Sequence, residues 1–207
     1  METFKDIPVV HAKTSKEWNK WLSKNHSAEK SVWVILAHKN SKIKTITHDE
    51  AVEEALCFGW IDSVTYKRDD ESRYQRFSPR KPYGNWSNTN REKAENLIAT
   101  KRMQPAGQAM IDLAKQNGRW DALVDVQKAI IPPDLLKLFK KNKTAFKNFE
   151  AFSHSSKRFI LEWITNAKKP ETRLKRIKQT VELAAKNIKA NHPTLNFVIF
   201  PSNSVKL

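Results

Sequence analysis

The residues of this chain best suited to chemistry fall between Glu54 and Gly118. Asp62 follows Trp60 by two positions. Arg76, Ser78 and Arg80 then occur at alternate positions, with Lys81, Trp86, Ser87 and Asn90 close behind. If 76–80 is extended, Arg76, Ser78 and Arg80 point to one side, because side chains alternate along a strand. Two guanidinium forks around a hydroxyl suit a phosphate or a carboxylate. Trp60 and Trp86 could stack on a planar ligand such as a nucleobase. Ser87 and Asn90, beside a helix start, would add amide donors for the same anion. The competing arrangement pairs the arginines with Asp62 and Glu54 and packs both tryptophans in the core.

Asp62, on a strand just after a Gly-Trp pair, is the one candidate for an acid or base, and it serves equally as an arginine's partner. Cys57 lies near the carboxyl end of its predicted helix, where the helix dipole disfavours a thiolate; it reads as a small buried hydrophobe. The six histidines are scattered without zinc-type spacing. Four glycines leave no glycine-rich phosphate loop or dinucleotide fingerprint, and there is no Gly-x-Ser-x-Gly elbow. Neither a metal nor a cofactor is expected.

The elements that must hold these residues are signalled by caps and periodicity. Thr14-Ser15-Lys16-Glu17 fits a capping box before a helix with Trp18, Trp21 and Leu22 on one face. The β-branched run 31–37 reads as a strand. Thr47-His48-Asp49-Glu50 is a second capping box, opening a helix that buries Ala51, Val52, Ala55, Leu56 and Phe58 and stops at Gly59. Residues 60–66 and 74–78 read as strands joined by the polar loop 67–72, with Pro79 and Pro82 ending the ladder. A helix capped by Ser87 or Asn88 carries Ala94 and Leu97, and another runs from Pro105 to Gly118. A link at 121–131 leads to helices that start at Pro132-Pro133, Ser153 and Pro170-Glu171, with Phe146, Phe149 and Phe152 as core. The stretch 196–200 could be a strand or a docked tail.

The chain has 207 residues and a net charge of +16, and the charge is uneven. Residues 1–126 hold 21 Lys/Arg against 17 Asp/Glu, whereas residues 127–207 hold 17 against 5. A lysine-rich helical end either solvates the fold or attracts a polyanion: nucleic acid, anionic lipid or an acidic partner. No apolar run approaches the roughly 20 residues that span a bilayer. The amino terminus lacks the pattern of a secretory signal, so a cytoplasmic location is expected.

Several blocks resemble the YdeI/OmpD-associated family of bacterial proteins: 54–62 (EALCFGWID), 76–80 (RFSPR), 85–87 (NWS), 103–107 (MQPAG), 118–120 (GRW), and the stretch 132–183 with Trp163-Ile164 and 167–173. The resemblance spans residues 10–187. It implies a role in protection against bacteriocins and cationic peptides, and an association with an outer-membrane porin. It carries no reaction that can be assigned to residues.

The expected fold is α+β: a small antiparallel sheet packed with helices, followed by a mostly helical carboxy-terminal part. The expected divisions are 1–126, 127–190 and a tail at 191–207. Three functions remain open: binding of an anionic ligand by residues 60–90 in a stress- or bacteriocin-tolerance protein, an enzyme using the same pocket with Asp62, and nucleic-acid binding by the basic helices.

Overall fold

The structure, a computed structural model, describes residues 2–191; the stretch 196–200 lies outside them. The chain divides into two compact units, Met1–Asp121 and Ala122–Leu207.

The first unit is built on a sheet. Its elements are β1 (Thr3–Phe4), β2 (Ile7–Val10), α1 (Ser15–Asn25), β3 (Val32–Ala37), α2 (His48–Cys57), β4 (Trp60–Lys67), β5 (Ser72–Pro79), α3 (Asn88–Ala99) and α4 (Pro105–Gln116). The strand order is β1-β2-β3-β5-β4. All neighbours are antiparallel except β2 and β3, which run parallel. Strands β3, β4 and β5 match the extended runs of the sequence, while β1 and β2 come from a short segment without strand periodicity. Positive φ at Lys5 and Asp6 turns the chain between them.

The register of β3 separates two apolar faces. Val32, Val34 and Leu36 join the main core with Trp18, Leu22, Leu56, Phe77 and Leu97. Trp33 and Ile35 point the other way, into a small cluster with Val9, Phe4, Ile7 and Tyr74. Phe4 covers that second face. Its ring stacks on Tyr74 at 4.4 Å, and its carbonyl accepts from the Trp33 indole at 2.9 Å. The amino-terminal segment thus shields a sheet face that would otherwise expose aromatic area to water.

Local capping follows the sequence with one difference. Thr47 and Glu50 exchange hydrogen bonds as a full capping box. Thr14 caps α1, but Glu17 bonds the amide of Lys13 instead of the cap residue's own amide. Helix α2 ends through Gly59 at φ +72°, a left-handed position that costs a side-chain-bearing residue strain. Helix α4 then lies so close to this corner that a Cβ on Gly107 would stand 2.5 Å from the Leu56 carbonyl oxygen. Only a hydrogen at that position lets α4 seat on the end of α2.

The second unit is helical over the described residues: α5 (Val124–Gln127), α6 (Pro133–Lys141), α7 (Lys143–Ala151), α8 (His154–Thr165) and α9 (Pro170–Ala185). Helix α5 falls within the segment 121–131 that reads as a link, and it contributes Val126 to the core. That core gathers Leu135, Phe139, Phe149, Ile160, Ile164 and Ile177, with Phe139 and Phe149 in ring contact at 5.0 Å. Asn142 ends α6 and caps α7, accepting from the Ala145 amide, so the two helices meet at a single-residue corner. The architecture is α+β with a helical carboxy-terminal part.

The two glycines should separate close packing from backbone strain. Gly107→Ala is expected to lower the unfolding free energy of the first unit by about 3 kcal/mol, because backbone oxygens cannot retreat from the new methyl. Gly118→Ala meets open space and bears only its φ of +72°, for about 1 kcal/mol. Urea titrations followed by tryptophan fluorescence measure both.

Candidate functional site

Arg80 is the centre of the site. Strand β5 ends at Pro79, which pairs with Trp60. The Arg80 amide then donates to Gly59 O at 2.9 Å and turns the chain. This turn carries the guanidinium over the Trp86 ring, 3.7 Å from Cζ to the centroid. Its Nη2 donates to the Asn85 carbonyl at 3.1 Å, while Nη1 is buried without a hydrogen-bond partner. The residue is only 7% exposed, and no carboxylate of the described residues lies within ion-pair distance of it. Burial lowers the Arg80 pKa to about 10, against the opposing pull of the Asp62 carboxylate.

The stack continues beyond Trp86. Trp120 packs on it at 4.9 Å. Arg91 and Lys115 each place their charge 5.3 Å from the Trp120 ring. Arg119 donates to Asn85 Oδ1 at 3.4 Å, so Asn85 accepts from two guanidinium groups, on its backbone and on its side chain. Ser87 caps α3 by accepting from the Asn90 amide at 3.2 Å. Its hydroxyl and that amide therefore satisfy each other at the helix start.

Asp62 lies at the edge of this group and is held by a histidine. His48 Nε2 and Asp62 Oδ2 are 3.0 Å apart, both partly accessible. His48 is the first residue of α2, placed there by the Thr47 cap. A carboxylate that orients an imidazole is the arrangement in which histidine moves protons.

The structure brings Arg80, Trp86, Ser87, Asn90 and Asp62 to one end of the sheet but divides the other residues of the sequence pattern. Arg76 pairs across the sheet with Trp33, on the face opposite the main core, where Nη2 donates to Ser31 Oγ at 3.1 Å. Ser78 pairs with Ile61, on the side set by the same alternation. The expected row of Arg76, Ser78 and Arg80 is broken because Arg80 lies past the strand's end, where alternation no longer fixes direction. Trp60 is in the core, and its indole donates to His26 O at 3.1 Å. Glu54 finds its arginine in Arg102, at 2.7 Å, and also accepts from Asn19 at 2.7 Å. Arg76 and Arg80 thus keep no close carboxylate.

His48, Asn85, Arg119 and Trp120 were not singled out by sequence reasoning. His48 carried a signal as the residue after an N-cap, and Arg119-Trp120 stood in a resemblance block. Asn85, Arg119 and Trp120 are drawn together by a long-range backbone bond, Trp86 N to Arg119 O at 3.3 Å. Cys57 is buried at the end of α2, and desolvation, followed by the nearby Glu54 charge, pushes its thiol up to about 12. Among the described residues no group of histidine, cysteine and carboxylate side chains could hold a metal ion, and no helix is long and apolar enough to cross a membrane.

Comparison with known families divides the chain in a similar way. Residues 128–187 match the family described as "Bacteriocin-protection, YdeI or OmpD-Associated". Over this segment the match agrees with the resemblance. Residues 10–110, which include His48, Asp62, Arg80 and Trp86, match a separate domain of unknown function (DUF8412). No curated protein and no solved structure matches the chain.

The raised pKa of Cys57 makes its reactivity a check on this corner. The thiol should resist Ellman's reagent at pH 8 in the folded protein and react fully in denaturant. Rapid labelling without denaturant would show that the end of α2 is open.

Proposed function

We propose that the first unit binds a small anionic molecule, bearing phosphate or carboxylate, with Arg80 as its anchor. One observation carries this reading: a buried guanidinium has a donor without a partner and no carboxylate in contact. Burying a cation is costly unless an anion or a full set of hydrogen bonds offsets the loss of hydration. Trp86 offsets part of it through its ring face, and an anionic ligand on Nη1 would complete the set. Trp120 and Arg119 support the groups that hold Arg80. Arg76 and Ser78 lie on the other face and form no part of the anchor.

The His48–Asp62 pair favours a second reading, in which the same unit turns its ligand over. His48 would then move the proton and Asp62 would orient it. In the cell, binding by a cytoplasmic protein of this kind would contribute to bacteriocin tolerance, the role in the description of the matched family, or to stress tolerance. A chain of net charge +16 repels cationic peptides, so protection would act through the ligand and not through capture of the peptide.

Thermal shift and calorimetry with inorganic phosphate and nucleoside monophosphates, at low and moderate salt, test the anchor. Arg80→Gln should abolish the ligand-induced shift measured against the variant's own melting temperature. Asp62→Asn removes a carboxylate that acts on the Arg80 charge and should tighten anion binding by about three- to tenfold. Unchanged affinity in both variants would remove Arg80 from the site. Product formation from a bound probe, lost in His48→Gln with binding intact, would establish the second reading.

A further inference from the structure

The second unit carries a strong positive charge, with sixteen Lys/Arg against six Asp/Glu between Ala122 and Asn191. The sequence alone points to α9 as the basic face, through Arg173, Lys175, Arg176, Lys178 and Lys186. The structure engages two of these five. Arg173 forms a two-point ion pair with Asp134, at 2.6 and 3.0 Å. Arg176 stacks on Trp163 and donates to its carbonyl. Lys175 follows Glu171 by four residues, and Glu182 follows Lys178 by four, so each exposed lysine has an acidic neighbour on its own helix face.

Helices α6 and α7 are different. Lys137, Lys140, Lys141, Lys143 and Lys147 are all exposed on either side of the Asn142 corner. None forms an ion pair or side-chain hydrogen bond among the described residues. The two carboxylates of these helices are already engaged by cations from elsewhere: Asp134 by Arg173, and Glu150 by Lys157 at 4.0 Å. The five lysines therefore project an uncompensated field from one corner, opposite the buried Leu135, Phe139, Ala145 and Phe149. Lys140 and Lys141 suit the negative end of α6. Lys143 stands at the positive end of α7, where the helix dipole disfavours a cation, so helix stability does not explain it.

We propose that the corner of α6 and α7 docks on the phosphate backbone of duplex nucleic acid without reading sequence. Lysine is a point charge suited to phosphate contact but not to bidentate base recognition. The patch has no exposed aromatic ring for stacking unpaired bases, which favours a duplex over a single strand. Among the described residues of this unit the large exposed apolar side chains are Ile130, Phe159, Leu174 and Ile188, none of them on α6 or α7. A membrane would need an apolar anchor beside the charge, and lysine is depleted in protein–protein interfaces. What remains is electrostatic attraction to a dense line of phosphates.

Fluorescence anisotropy of the full-length protein on a labelled 20-base-pair DNA, from 50 to 200 mM KCl, tests the assignment. Three to five phosphate contacts give a log–log salt slope of about −3 to −4.5, or a loss of about 40- to 500-fold in affinity over that range. The triple variant Lys140→Gln/Lys141→Gln/Lys143→Gln should flatten the slope by about 3 and lose more than about 50-fold at 50 mM salt. Lys175→Gln/Lys178→Gln on α9 should change affinity by less than about threefold. Circular dichroism melts show whether each variant is folded. Equal losses in the two variants would overturn the corner as the docking surface. So would no binding at 50 mM KCl, tighter binding to the unpaired strand, or a preference for vesicles containing phosphatidylserine.

Discussion

Placing the Arg80 guanidinium against the Trp86 ring removes a permanent cation from water in the wall of a hydrophobic core. The ring's negative face recovers part of the lost hydration, and the Asn85 carbonyl recovers another part. Both depend on the chain around them being fixed. Pro79 ends β5, the Arg80 amide bonds Gly59, and Gly59 can occupy its left-handed corner only without a side chain. Helix α4 sits on that corner because Gly107 also lacks one. The loop 80–87 is tied at its other end by Trp86 to Arg119, so the guanidinium is positioned by backbone bonds at both ends. Preorganisation of this kind would let a single arginine serve as the proposed anchor, since little order would remain to be imposed on anion binding.

The two units use positive charge in opposite ways. In the first, the key arginine is buried, its charge shielded by a tryptophan and balanced at longer range by Asp62. As the proposed anchor, it would favour one small anion of fitting shape. In the second, lysines stand in water on two short helices, and the carboxylates that would neutralise them are bound elsewhere. An exposed field of this type is screened within about 8–10 Å at ordinary salt and suits a long polyanion that offers many contacts at once. The distribution between buried and exposed cations therefore tells more about partners than the net charge of +16 does.

Much of the architecture was legible because the local signals agree. Thr47 and Glu50 announce α2, Gly59 ends it, and the β-branched and aromatic runs at β3, β4 and β5 alternate as strands require. Strands β1 and β2 escaped notice because they are short, and their apolar residues are used by a cluster assembled from distant chain. Arg80, Trp86 and Asp62 could be named as candidates from type and proximity alone. Their grouping could not, because side-chain alternation fails where β5 stops, and it was alternation that placed Arg76 with Arg80. His48 was hidden for the same reason: its partner is fourteen residues away, and only the packing of α2 on β4 brings them together. The basic helices show the reverse case, where composition located the charge but ion pairing decided which part of it is free to act.

A crystal structure at near-atomic resolution, grown with inorganic phosphate, decides whether Arg80 anchors an anion. Anchoring requires Arg80 stacked on Trp86, with an ordered anion accepting from Nη1. An Arg80 side chain swung onto Asp62 in a direct ion pair, with no anion bound, would contradict it.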